Sequence, residues 1–133
     1  SLCTLHDAEL AIENKLCNLF NIRLSKCGGF INSLRIAQLA ERYGMGYQVG
    51  CLVGETALLS AAGRQMATLL PSLRYLEGSY DRHLLTDNVT TQDITFSYAG
   101  KAPALNGKGL GLMVDSLEQN QYTTTTFPLY EAT

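Results

Sequence analysis

Residues 19–29 read LFNIRLSKCGG, and their alternation decides the class of fold. Phe20, Ile22 and Leu24 fall on one face and Asn21, Arg23 and Ser25 on the other, the period of two that marks a strand over 19–25 with one polar face. Lys26-Cys27-Gly28-Gly29 breaks it. The flanking segments change period. Residues 4–17 place Leu5, Ala8, Leu10, Ala11, Ile12 and Leu16 at helical spacing behind a Thr4 cap with Asp7 three residues on. Residues 30–43 do the same through Ile31, Leu34, Ile36, Ala37 and Ala40 until Gly44 stops the helix. Downstream the alternation of elements continues: a strand over 47–51, a turn over 52–55, and a helix over 56–70 that is rich in small residues and ended by Pro71. A third strand is expected over 73–77, a polar, turn-prone stretch over 78–91, a β segment over 94–98, and a loop entering a short strand over 106–115.

Strands separated by helices of this length predict βα units and a parallel sheet, hence the α/β class. An open doubly wound sheet and part of a (β/α)8 barrel both satisfy that pattern. The polar face of residues 19–25 bears on the choice. In a barrel Asn21, Arg23 and Ser25 point inward near the C-terminal mouth, where sites are built; an open sheet normally has two apolar faces, on which Arg23 is harder to place.

Composition narrows the function classes. The 133 residues are 46% hydrophobic and 17% charged with a formal charge of −2, which excludes a long disordered chain and a strongly basic nucleic-acid binder. Such a charge gives no steering toward polyanions or anionic membranes, and no apolar run approaches the roughly 18 residues of a membrane span. Cys3, Cys17, Cys27 and Cys51 lack CxxC spacing and have only His6 and His83 to help them, so no zinc signature is present. With no export signal at the start of the sequence, they read as reduced thiols of a cytoplasmic protein.

Three stretches in order, Asn21 to Gly29, Val49-Gly50-Cys51 leading to Glu55-Thr56 and Ala61-Ala62, and Gly109-Leu110-Gly111 followed by Asp115, resemble the C-terminal part of the catalytic barrel of the enolase superfamily. The branch resembled is the muconate-lactonizing and dipeptide-epimerase one of the mandelate racemase/muconate lactonizing enzyme family. The resemblance covers residues 1–117 and implies a partial (β/α)8 barrel, its last three βα units plus a C-terminal segment, with 118–133 a tail open to disorder. It further implies a magnesium ion that holds a small carboxylate substrate, and a base that removes the proton α to that carboxylate to give an enediolate. The family's acidic metal ligands and second-strand lysines would lie before residue 1, so no metal-ligating residue is assigned here. The chain alone is expected to bind no magnesium and to be inactive.

The family's sixth-strand base is usually lysine, and the matching position here is Arg23. A guanidinium that keeps its proton is no general base, though it can grip a carboxylate or enediolate by paired hydrogen bonds. That favours one-base chemistry such as dehydration, cycloisomerisation or syn elimination over two-base racemisation. A solvated or ion-paired strand arginine accounts for the same residue. Lys26, at the strand end, is a second catalytic candidate, with a plain salt bridge as its alternative. Glu55 matches a seventh-strand glutamate of the family's site, and the helix dipole alone would equally favour it there. Asn21, Glu77 and Asp81 are the substrate-binding candidates; Gly78-Ser79-Tyr80 departs from the Asp-x-Asp pattern of the dipeptide epimerases, which puts a dipeptide substrate in doubt.

Two functions remain at this point. One is a segment of a magnesium-dependent isomerase or lyase. The other is a non-catalytic α/β assembly domain that self-associates through exposed sheet edges. Either is compatible with a homo-oligomer, and neither involves nucleic acid or membrane.

Overall fold

The computed structural model describes residues 2–126. Helix α1 (Leu5–Glu13) starts at the expected cap. Thr4 Oγ1 accepts from Asp7 N–H at 3.1 Å, and Asp7 returns the bond to Thr4 N–H at 2.8 Å. Those hydrogen bonds, with another from Cys3, hold the Asp7 carboxyl below its usual range. Strand β1 (Leu19–Ile22) follows, then a helical turn α2 (Leu24–Cys27), helix α3 (Phe30–Arg42), strand β2 (Gly46–Val49), helix α4 (Ala57–Thr68), strand β3 (Tyr75–Leu76) and a short helix α5 (Asp81–Leu84). A 3-10 turn (Tyr98–Gly100) and helix α6 (Ser116–Tyr122) complete the described elements. Helix α6 crosses the boundary expected at 117, and the remainder of the tail from residue 127 lies outside the described residues.

The three strands form one parallel sheet in the order β1-β2-β3, with Asn21 opposite Gln48 and Gln48 opposite Tyr75. The ladder runs beyond the short β3, because Arg74 N–H donates to Tyr47 O and Glu77 N–H to Val49 O. Phe20, Ile22, Tyr47 and Val49 are buried in one cluster with Ile36, Ala37 and Ala40 of α3 and Ala62 and Met66 of α4. The helices therefore cover one face of the sheet. Full burial of each large apolar side chain contributes about 1.5–3 kcal/mol, and the set fixes which face is the other one.

Three expected β segments are corrected. The strand expected over 19–25 ends at Ile22, and Arg23 becomes the N-cap of α2 with extended backbone at φ −117. Its carbonyl accepts from Lys26 and Cys27 N–H, and Gly28 and Gly29, both at positive φ, let the chain turn straight into α3. Leu24 stays buried, so the alternation is kept although the ladder is not. Residues 94–98 form no strand either. Their backbone groups find other partners: Arg64 of α4 donates to Ile94 O at 2.6 Å, Phe96 N–H donates to Ser79 O and Ser97 N–H to Lys101 O, while Gln65 satisfies Leu105 O and Leu110 O farther along the chain. Ile94 inserts beside Ala57 and Ala61, whose small side chains let the segment lie close on the helix. The strand expected at the end of 106–115 reduces to one antiparallel bridge between Thr90 and Val114.

Two side chains set conditions on this fold. Gly50 follows β2 and donates to Ile22 O at 2.8 Å; a Cβ there would overlap Asn21 Oδ1, with Asn21 Cγ 2.8 Å away. Gly50→Ala should therefore destabilise by about 1–3 kcal/mol. Adding Asn21→Ala should recover most of that loss, as a double-mutant cycle in urea will show. Tyr47 is fully buried, and its hydroxyl donates to Glu41. Burial first, and then the Glu41 carboxylate, raise its pKa from 10.0 to about 12. Between those values the folded chain keeps a proton that the unfolded chain has lost. Stability is thus full below pH 10 and falls as pH rises toward 12, by at most about 2–3 kcal/mol. Thermal melts of Tyr47→Phe should lack that portion of the alkaline loss.

Candidate active site

On the face of the sheet away from the helices, Asn21, Gln48 and Tyr75 stand in one row. The next row toward the C-terminal ends of the strands is Arg23, Gly50 and Glu77. The middle position of this second row has no side chain, and the Asn21 amide fills the space above it. Its Oδ1 is buried without a hydrogen-bond partner. Gln48 Nε2 donates to Glu77 Oε1 at 2.7 Å, tying the two rows together.

Glu55 enters from the turn before α4. Its Oε2 accepts from Leu52 N–H at 3.0 Å and its Oε1 from Ser60 Oγ, also at 3.0 Å. Gly78 lies over this carboxylate: a Cβ there would be 3.6 Å from Glu55 Oε1 and 3.7 Å from Cys51 Cβ. Burial pushes the Cys51 thiol up, the charges of Glu55 and Glu77 push it further, and Arg23 opposes them. Glu55 thus lies beside Cys51, and the charges of Glu77 and Arg23 act on the thiol from the neighbouring strand ends.

Arg23 also belongs to a cleft of about 560 Å³ along the edge of β1 that β2 does not pair, with Asp7, Leu10, Phe20, Asn21 and Lys26 among its walls. Lys26, on α2, is exposed. Asn21, Arg23 and Glu77 therefore lie on this face and Lys26 on the cleft beside it, while Glu55 is bound to the turn before α4 and to Ser60 of that helix. Asp81 lies off this face. It is 3% exposed, its Oδ2 accepts from Asn88, and its charge acts on buried Arg64. Gln48 and Ser60 escaped the sequence reading, which places Gly50 and Cys51 in a family-like stretch and gives them no role at the site. The rows, once registered, would have found Gln48 and Gly50; nothing local marks Cys51 or Ser60.

Among the described residues no group of three or more His, Cys, Asp or Glu could hold a metal ion, and no helix is long and apolar enough to cross a membrane. The arrangement sets the Arg23 cation and the Glu77 carboxylate at strand ends of one polar face, able to bind a small anion.

A parallel α/β sheet with charged residues at its C-terminal strand ends is the class of domain this geometry defines. Residues 1–119 match the enolase C-terminal domain-like family, and the chain belongs to it. It is 32% identical over 120 residues to a D-Ala-D/L-Ala epimerase of Cytophaga hutchinsonii, a match covering 88% of this chain and 32% of that protein. It is 31% identical over 124 residues to a chloromuconate cycloisomerase of Cupriavidus necator, covering 92% of this chain and 33% of that one. In structure it superposes with a TM-score of 0.77 and 28% identity on a dipeptide epimerase from Cytophaga hutchinsonii complexed with magnesium and the dipeptide D-Ala-L-Val, over 89% of this chain and 32% of that one. The chain spans a third or less of the length of these relatives.

The charges acting on Cys51 have a chemical readout. Glu77→Gln should speed iodoacetamide labelling of Cys51 near neutral pH by raising its thiolate fraction, and Arg23→Met should slow it. Peptide mapping by mass spectrometry separates Cys51 from the other three thiols.

Proposed function

We propose that the chain is a segment of an enolase-superfamily isomerase or lyase, three βα units of a (β/α)8 barrel, in which Arg23 binds the carboxylate end of a small substrate. The single observation that carries this is Arg23 itself, held at a strand end on the polar face, beside Asn21 and across the side-chain-free Gly50 from Glu77. The epimerase and cycloisomerase relatives support the reaction class.

The guanidinium keeps its proton, so it cannot abstract one. Its fork can donate two parallel hydrogen bonds to a carboxylate, and those bonds strengthen as charge builds on that group during α-proton loss. Proton removal then falls to a single base on the opposite side of the substrate, which favours elimination or cycloisomerisation over epimerisation. Lys26 closes the rim beside Arg23, Asn21 lies under the substrate, and Glu77 faces its distal part. Glu55 holds the strand-end turn in place. Asp81, buried, acts on the substrate only through the loop it anchors.

Magnesium, which the Cytophaga structure contains, would hold the substrate carboxylate and stabilise the enediolate. The described residues of this segment do not fit it on their own, and the ligands are assigned to a part of the barrel outside this segment. The thiols of Cys17, Cys27 and Cys51 support a reducing, cytoplasmic setting.

A chimera tests the role of Arg23. Residues 1–119 replace the matched third of the Cytophaga hutchinsonii epimerase, with Arg23 or with Arg23→Lys. Positioned proton transfer is worth about 10²–10⁴ in rate, so the lysine form should epimerise at least about a hundredfold faster. Proton exchange into D2O, followed on each epimer separately, should be one-sided with Arg23 and two-sided with lysine. Equal rates for the two forms would remove Arg23 from the base position.

A further inference from the structure

We propose that Arg64, a residue of α4 that does not reach the polar face, is a positioning residue for Glu55, acting through Ser79 and Ser60. The inference rests on the reading that Glu55 belongs to the site. It starts from a buried guanidinium. Arg64 is 5% exposed, and its Nη2 donates to Ser79 Oγ at 2.7 Å and Ile94 O at 2.6 Å. Its Nη1 donates to Pro103 O at 3.2 Å, and its Cζ lies 5.1 Å from the centre of the Phe96 ring. One side chain therefore holds together α4, the loop after β3 and the returning segment 94–103.

Ser79 is 1% exposed and sits at φ 55, a left-handed conformation that a non-glycine residue keeps only when its surroundings hold it there. Besides the Arg64 bond to its hydroxyl, its carbonyl accepts from Phe96 N–H at 3.2 Å. Held so, its own N–H donates to Ser60 Oγ at 3.1 Å. That bond occupies a lone pair of the Ser60 hydroxyl and directs its proton at Glu55 Oε1. Each donor in the chain fixes the next. One Glu55 oxygen is thus held locally by Leu52, and the other through two serines by a cation that Glu55 does not touch.

The test reads the Glu55 side-chain carboxyl 13C resonance in the full chain, with no reaction involved. Ser60→Ala cuts the direct bond, and Ser79→Ala removes only the acceptor for Arg64. Each should displace the Glu55 signal, and the double variant should displace it no further than Ser60→Ala alone. Ile36→Val, a core change under α3, should lower the melting temperature and leave that signal in place. Arg64→Met should reproduce Ser79→Ala; if it fails to fold, the two serine variants decide alone. A Glu55 signal unmoved by Ser79→Ala, or a double variant that adds displacement, overturns the relay. The site reading is judged apart, by Glu55→Gln in the epimerase chimera: full activity there would remove Glu55 from the site while the relay could still stand.

Discussion

Phe20 and Ile22 cannot pack against α3 without turning Asn21 and Arg23 to the opposite face, because successive side chains of a strand point to opposite sides of the sheet. Parallel register carries the same division to Tyr47 and Val49 against Gln48 and Gly50. Burying four apolar side chains therefore also sets out a polar surface, and a one-residue slip would bury Arg23 and lose both. The energy that holds the core and the geometry that presents the charges are the same constraint seen from its two sides.

Absence of side chains does as much at the strand ends as their presence. Gly50 leaves the gap that the Asn21 amide fills, and Gly78 brings the chain close over Glu55 and Cys51. At Gly50 two segments approach nearer than any Cβ allows, whereas Gly78 has room for a Cβ and is required by its φ of 129. Gly50 lies on the row that carries Arg23 and Glu77, and Gly78 directly follows Glu77. The cost of that closeness is a buried Asn21 oxygen with no protein partner, aimed at backbone rather than at a donor.

The sheet, its three strands and the helices between them were legible in the sequence because each rests on local periodicity. So was the placing of Arg23, since alternation alone sends it to the polar face. Where the reading failed, the deciding contacts were distant. The end of β1 depends on two glycines at positive φ, which turn the chain before the alternation runs out. The β pattern of 94–98 is genuine, yet Arg64 and the Ser79 carbonyl supply hydrogen bonds to it in place of a neighbouring strand. Asp81 reads as a loop carboxylate free to meet a substrate; its burial follows from Asn88 and Arg64, partners seven and seventeen residues off. One signal for Arg64 was present. It shares a helix face with Ala57, Ser60 and Ala61, a face too small-sided to belong to solvent, so an arginine on it had to be buried and satisfied.

That arginine and Arg23 show how one chemical group serves opposite ends of a domain. Burial lowers the Arg64 pKa from its usual value while the Asp81 charge works against the change, and three hydrogen bonds, to one hydroxyl and two carbonyls, make the buried cation tolerable although its Nε has no partner. Arg23 keeps its donors on a half-open face, where an incoming carboxylate can complete them. A lysine in the first position could not join three segments with one planar fork. A lysine in the second could exchange a proton, which an arginine cannot. An arginine at the strand end therefore offers a group that binds charge where a lysine would offer one that moves protons.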